Sequence, residues 1–136
     1  MDCEMAFEGD LLMIRLAGVF DNNDLLKLAS MVAEEESRTP KTPHRLTDAS
    51  QLKTINVNFE GMTAGVSMRT ALKFPNRFKS AIVAPQPVQF GFARMFQTLN
   101  HHPQIDVRIL RDRESALAWV TEQEDEQVQV LVEEEL

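Results

Sequence analysis

The sequence contains few of the residues that form disulfides, metal sites or reactive groups in many small proteins. Its 136 residues include one cysteine, three histidines, one tryptophan and no tyrosine. A single cysteine excludes an internal disulfide and is typical of a reducing compartment. Nothing close to Cys3 in the sequence would lower its pKa, so we interpret this thiol as a small hydrophobic group and not as a nucleophile.

Long apolar runs are also absent. Hydrophobic residues make up 43% of the chain, yet no run approaches the roughly 18 residues that a membrane span requires. Residues Met1 to Glu4 carry acids where a secretory signal would carry bases. We therefore expect a cytoplasmic protein with no transmembrane segment, long enough to bury a core without disulfides or metal.

Charged residues are unevenly distributed along the chain. The net charge is −7, and residues 121–136 hold seven acids and no base, so the remainder is neutral. Residues 61–113 carry eight bases against two acids. Nucleic-acid binding would need such a basic region together with exposed aromatic residues or a reading helix, and the sequence shows neither. We predict no nucleic-acid partner.

Two strand patterns flank a helix pattern and predict an α/β fold. Residues Phe78–Ala84 form a short apolar run, and Ile105–Leu110 alternates with period two. Between them, apolar residues recur at helical spacing, so one face of this helix must cover a sheet. These residues are Val88, Phe92, Met95, Phe96 and Leu99. A parallel crossover connection follows from this order.

The other segments complete an N-terminal β-hairpin followed by β-α repeats, with about five strands in a mixed sheet and about four helices. We assign residues 1–120 to one domain and residues 121–136 to an acidic tail. This tail is either solvated or docked, as an edge strand through Val128, Val130 and Val132 or against the basic middle of the chain. Asp112 is the predicted N-cap of the last helix. The earlier predicted elements are a hairpin (1–8 and 11–17), a helix (23–36), a strand (44–50) and a helix (58–74).

Asp48 is the first candidate site residue, because it lies at the carboxyl end of the inner strand that begins at His44. Open α/β sheets bind ligands at the carboxyl ends of their strands, where an acid could bind or act as a base. Alternatively, Asp48 accepts a hydrogen bond from the amide of Ser50 or Gln51 and only shapes the chain locally. Asp48 with His44 is the best acid-base pair, but the two lie about 13 Å apart at strand rise.

Gly61, Gly65 and Arg69 are candidates on the second helix. The two glycines permit close backbone approach, so a partner helix or a ligand could lie against that turn. Arg69 is one of four cations near the end of this helix, with Lys73, Arg77 and Lys79. These cations either complement the helix dipole or form an anion site.

Phe90 and Arg94 are candidates on the third helix. Phe90 is about 200° from Phe92 around a helix, so the two rings cannot share the core face. A phenyl ring in this place indicates a ligand pocket, a partner surface or a helix covered on two sides. The neighbouring His101 and His102 have no Cys, Asp or Glu at ligand spacing, so we predict no metal and no cofactor.

The order of elements resembles the SpoIIAA-like family, whose fold is shared with STAS domains and related to CRAL-TRIO lipid-binding domains. The resemblance covers roughly residues 9–120. It is carried by residues 78–84, 90–96 and 107–119, none of which is a catalytic signature. STAS antagonists of anti-sigma factors carry Asp-Ser-Gly at the start of the second helix, where the serine is phosphorylated. This serine is missing here, and neither Thr63 nor Ser67 is marked as a phosphosite.

Three functions remain, and the sequence favours the first. It is a non-enzymatic STAS-like binding or regulatory module that acts through protein interaction, as a homodimer or with a partner. The alternative is a carrier or sensor of a small apolar or amphipathic acidic ligand such as a lipid, because eight Phe and seven Met residues supply adaptable apolar lining. An enzyme is disfavoured, because the sequence has no nucleophile elbow, phosphate loop or triad pattern.

Overall fold

The computed structural model describes residues 1–122, which form five strands and four helices. The strands make one sheet in the order β1-β2-β3-β4-β5, with β1 antiparallel to β2 and every other pair parallel. The predicted α/β class, the N-terminal hairpin and the mixed sheet are confirmed. The elements are β1 (Asp2–Glu8), β2 (Leu11–Asp21), α1 (Asn22–Ser37), β3 (Arg45–Asn56), α2 (Phe59–Thr70), β4 (Phe78–Val83), α3 (Pro87–Leu99), β5 (Ile105–Leu110) and α4 (Arg113–Val120).

Helix starts follow the capping residues that the sequence provides. Asp21 accepts a hydrogen bond from the Asp24 amide at 2.9 Å and begins α1. Asn58 accepts from the Gly61 amide at 2.8 Å and begins α2. Asp112 accepts from the Ser115 amide at 2.7 Å, so the predicted N-cap of the last helix is confirmed. The hydrogen bond from Ser115 lowers the pKa of the Asp112 carboxyl.

The third strand is longer than predicted. It extends to Asn56 and not to Ser50, and it remains paired with β2 as far as Asp21. Its pairing with β4 ends at Asp48 and Val83, so the second half of β3 has a strand neighbour on one side only. Half-exposed polar residues are tolerated there, which is why the alternation of a buried strand is missing from the sequence.

The second helix is shorter than predicted. It ends at Thr70, whereas the sequence pattern continues to Phe74. The Gln104 side chain accepts from the Phe74 amide at 3.0 Å and donates to the Phe74 carbonyl at 2.6 Å. A side chain distant in sequence therefore holds this backbone in a conformation other than helix.

The sheet has two different faces. One is covered by α1, α2 and α3, and its core includes Phe20 and Met62, which are fully buried. The other is covered by α4, where Trp119 packs with Leu46 and Val83. The period-two alternation of the strands separates these two cores.

The acidic tail lies almost wholly beyond the described residues. Thr121 and Glu122 are described, and the predicted edge strand at Val128, Val130 and Val132 is not. The division at residue 120 stays a prediction. Within residues 1–122, no helix is both long enough and apolar enough to cross a membrane.

Candidate functional site

Gly61 and Gly65 form a close seam between α2 and α1. A methyl group on Gly61 would overlap the Asn22 side chain, and one on Gly65 would lie 2.7 Å from Leu25 Cδ2. Both glycines are buried. The close neighbour that the sequence predicts at this turn is α1 of the same chain, and the seam fixes which side chains α2 directs inward.

One of those inward side chains, Arg69, forms a buried ion cluster with Glu36 of α1 and Arg45 of β3. Arg69 Nη1 and Nη2 donate to the two carboxylate oxygens of Glu36 at 2.6 and 2.7 Å. Arg45 Nη1 donates to Glu36 Oε2 at 3.2 Å. The three side chains are only 5–8% exposed. We call this group the arginine cluster; it contains two guanidinium groups and one carboxylate.

Aromatic rings and strand residues hold the arginine cluster in place. The Arg45 guanidinium lies 5.0 Å from the Phe78 ring centroid, and that of Arg69 lies 5.1 Å from the Phe74 centroid. Arg45 Nε donates to Ser80 Oγ at 3.1 Å. Arg69 Nε is buried and has no hydrogen-bond acceptor. An unpaired buried donor is energetically costly, so this atom is a potential contact for a ligand.

The buried and positively charged surroundings of Arg45 shift the pKa of its guanidinium group. Burial and the neighbouring Arg69 lower the pKa of Arg45 to about 9, while the Glu36 carboxylate opposes this shift. One carboxylate therefore does not fully compensate two buried cations. An additional anion at this place would favour the charged form of Arg45.

A cavity of about 80 Å³ adjoins the arginine cluster between the sheet and the three helices. We call it the arginine cavity. Its lining is apolar except for Arg45, Arg69, Thr47 and Ser80. The apolar lining residues are Ile14, Leu16, Leu25, Leu28, Ala29, Val32, Ala49, Gly65, Ile82, Phe92 and Phe96. An apolar cavity with a few convergent polar groups is the usual form of a small-molecule site.

Asp48 lies apart from this cavity. Its Oδ1 accepts a hydrogen bond from the Ser50 amide at 2.9 Å, at the point where the β2–β3 register shifts. This is the local bond that the sequence left as one alternative. Because β3 continues to Asn56, Asp48 is not at the end of its strand, as the sequence interpretation assumed. His44 Nδ1 accepts from the Lys79 amide at 2.7 Å, so this nitrogen is already occupied.

Phe90 and Arg94 lie on the outer side of α3. Phe90 is 46% exposed, whereas the neighbouring Ala93 is fully buried. Arg94 donates to Gln97 Oε1 at 2.6 Å in an exposed position. Phe92 and Phe96 line the arginine cavity, and Phe90 does not. The partner-surface role of Phe90 and Arg94 stays a prediction.

A second apolar surface, which we call the α2 contact face, is formed by Met68 on α2 and Leu72 just after its end. These side chains are 39% and 37% exposed. Phe59, which is 64% exposed, lies about 180° from Met68 around the helix and so belongs to its other flank. Thr63, Ala64, Ser67 and Ala71 are also exposed on this helix and at its end. The charged residues of α2 are Glu60 in its first turn and the buried Arg69. The outward side of α2 is therefore almost uncharged, unlike the outward side of an ordinary surface helix.

Within residues 1–122, no three His, Cys, Asp or Glu side chains lie close enough to hold a metal ion. His102 Nδ1 accepts from the Gln104 amide at 3.0 Å. Burial raises the pKa of the Cys3 thiol, and a raised pKa disfavours the reactive thiolate.

The strand order, the hairpin and the positions of the helices define a SpoIIAA-like fold, which is shared with STAS domains. The chain is similar to an uncharacterized protein of the DUF3478 family from Shewanella loihica PV-4 with a SpoIIAA-like fold. The TM-score is 0.56 at 14% identity, over 88% of this chain and 92% of the other. At this identity, the similarity shows the fold alone.

A second similar structure is the phosphorylated form of the Bacillus cell fate determinant SpoIIAA. The TM-score is 0.51 at 12% identity, over 88% of this chain and 99% of the other. No protein-family model and no curated protein matches the sequence. The resemblance to SpoIIAA-like proteins is thus confirmed at the level of the fold.

Sequence reasoning missed Glu36 and Arg45 as members of the site. A signal for Arg45 exists, because it has the same strand parity as Thr47 and Ala49, which line the core face. A charged residue on a core face requires a buried counter-charge. The partner, Glu36, is nine residues away in sequence and on a different element. Helical spacing does distinguish Glu36 from Glu34 and Glu35, because Glu36 follows the buried Val32 by four residues and so lies on the core face of α1.

Proposed function

We propose that this protein is a non-enzymatic, STAS-like regulatory module that binds other protein chains through the α2 contact face. The observation that carries the proposal is the exposure of Met68 and Leu72, which adjoin each other at the end of a helix whose outward side is nearly uncharged. Contiguous exposed apolar surface is typical of interaction sites. The cores of protein interfaces are also depleted in charged residues.

Self-association is the form of this function that we propose first. A two-fold dimer buries the same patch on both chains, so an uncharged patch can pair with its own copy without like-charge repulsion. Phe90 and Arg94 on the outer side of α3 extend the surface beyond α2. The phosphorylation switch of STAS antagonists is not part of this proposal, since the serine that those proteins phosphorylate is missing from this chain.

Light scattering after gel filtration over a range of protein concentrations tests this proposal. We expect a concentration-dependent rise to the dimer mass, and its loss in the double variant Met68→Asp/Leu72→Asp. The matched control is Val19→Asp, because Val19 is an equally apolar, 53% exposed residue on β2. A wild-type protein that stays monomeric at every concentration would remove self-association. A dimer that the α2 variant retains would remove this surface from the proposal.

A second candidate function is the binding of a small amphipathic acidic ligand, as a carrier or a sensor. The arginine cavity favours it, because it combines an apolar lining with two buried guanidinium groups. This function uses the inner side of α2, whereas the contact face uses the outer side. The two functions are therefore independently testable.

A further inference from the structure

We infer that the arginine cavity is a binding site for a short-chain aliphatic carboxylate, with the ligand's carboxylate beside Arg69 and Arg45 and its hydrocarbon chain among the apolar lining residues. This inference rests on the second candidate function and specifies its ligand class. It does not depend on the α2 contact face. Four observations support it: charge, an unpaired donor, volume and access.

The first observation is the charge imbalance at one end of the cavity. Arg45 and Arg69 are 5% and 4% exposed and share the single carboxylate of Glu36. Buried charges are stable only when they are paired and hydrogen-bonded. A second carboxylate would make the cluster neutral. A neutral alcohol or amide would not, so the charge selects an anion.

The second observation is the unpaired Arg69 Nε. Glu36 occupies Nη1 and Nη2 of the same guanidinium, so Nε is the donor that remains for another acceptor. Arg69 also lines the cavity. A carboxylate oxygen of the ligand at Nε would satisfy this donor and add a charge-assisted hydrogen bond. The unpaired Arg69 Nε and the charge imbalance therefore both favour a carboxylate.

The third observation is the size of the cavity. An apolar cavity of roughly 150 Å³ accepts benzene, and one water occupies about 30 Å³ of liquid. A volume of about 80 Å³ lies between these values. By this scale, the part of the ligand that the cavity encloses is an aliphatic acid of about three to five carbons. The chain of a long-chain fatty acid would extend beyond the cavity.

The fourth observation concerns access to the cavity. Most of the lining residues are buried, but Leu28 on α1, Phe92 and Phe96 on α3 and Thr47 on β3 are only partly buried. The partly buried apolar lining thus comes from α1 and α3. We therefore assign the entrance of the cavity to the side where these two helices carry it.

Isothermal titration calorimetry of the full chain with butyrate, butyramide and octanoate tests the inference. We expect saturable binding of butyrate, with an affinity about tenfold or more above that of butyramide, since only the acid pairs with the guanidinium groups. Butyrate should also raise the Tm, and the rise should continue with the logarithm of its concentration above the Kd. Octanoate should bind more weakly than butyrate, because the cavity is too small for its chain.

Two variants locate the site. Arg69→Met removes the donor and one cation, and we expect it to weaken butyrate binding about tenfold or more. Its matched control is Arg38→Met, which removes an exposed ion pair on α1. Ala29→Leu fills the cavity without touching the cluster and should abolish binding while the protein stays folded. Its control is Ala118→Leu, at an exposed position on the opposite face of the sheet.

Each other outcome overturns the inference. Equal binding of butyramide would show that the arginine cluster does not select the ligand. Binding of octanoate without butyrate would refute the short-chain class and leave the wider ligand-binding function standing. No binding of any of the three compounds would refute the site itself. Retention of butyrate binding in the Ala29→Leu variant would place the ligand outside the cavity.

Discussion

The two faces of the sheet bury cations in different ways. On the face covered by three helices, Arg45 and Arg69 share one carboxylate and adjoin a cavity. On the opposite face, Lys79 is 3% exposed, and its ammonium donates to the carbonyls of Trp119 and Glu122 at 3.0 and 3.1 Å. The same ammonium lies 5.3 Å from the centroid of the Trp119 ring.

This difference separates a structural charge from one that is available for binding. Lys79 is satisfied by the carbonyl end of α4, where the helix dipole favours a cation, and by an aromatic ring. The arginine cluster has more positive than negative charge and keeps one donor unpaired. A buried cation therefore indicates a ligand site only when its local partners are insufficient.

The largest expected effect comes from removing the shared carboxylate. Glu36→Gln leaves two buried guanidinium groups without an anion, and we expect the free energy of unfolding to fall by about 4 kcal/mol. Urea denaturation measures this change. The control, Glu34→Gln, removes an exposed pair with Arg38 and should cost less than about 1 kcal/mol. Equal losses of unfolding free energy in Glu36→Gln and Glu34→Gln would mean that the buried ion pairs contribute no more than the exposed one.

The seam between α1 and α2 gives the next largest effect. Gly65→Ala places a methyl group 2.7 Å from Leu25 Cδ2. We expect a loss of about 2 kcal/mol, because the helices must separate and Arg69 must move relative to Glu36. Gly91→Ala on α3 is the control, since nothing lies within 4 Å of the added methyl. It should stabilise the protein by about 0.5 kcal/mol, as Ala replaces Gly in a helix. A Gly65→Ala variant more stable than the wild-type protein would contradict the close contact of α1 and α2 at this position.

The smallest effect is expected on the opposite face. Lys79→Met keeps the apolar stem and removes the ammonium, and we expect a loss of about 1 kcal/mol. The loss is limited because the Trp119 carbonyl also accepts from the Glu122 amide at 3.2 Å. Denaturation followed by the fluorescence of Trp119, the only tryptophan in the chain, checks this value. A loss of stability as large as that of Glu36→Gln would show that the buried cations of the two faces depend equally on their partners.

The fold could largely be predicted from local patterns, and its exceptions have non-local causes. The apolar stripe of α3 and the alternation of Ile105–Leu110 each show their own period, so the type of these elements was evident. The second half of β3 is a strand because it pairs with β2, and the segment after Thr70 leaves the helix because Gln104 binds the Phe74 backbone. Neither partner lies within the sequence window that determines a local pattern.

The candidate site was less predictable than the fold. Gly61, Gly65 and Arg69 were identified as unusual residues of a helix, and the structure places all three on its inner side. The sequence could not show that Arg69 meets a carboxylate 33 residues away. It also could not show the cavity, because empty volume arises only when several elements pack together. Phe90, in contrast, was correctly placed off the core face by helical geometry alone.

Gln89 has a consequence for the behaviour of the chain in concentrated solution. This side chain is 2% exposed, and its amide donates to the Ser50 and Leu52 carbonyls at 2.9 Å each, beyond the end of the β3–β4 pairing. It therefore shields a strand edge that would otherwise be free to add a strand from another molecule. Fraying of the first turn of α3 would remove this shield and expose the second half of β3 to pairing with another molecule.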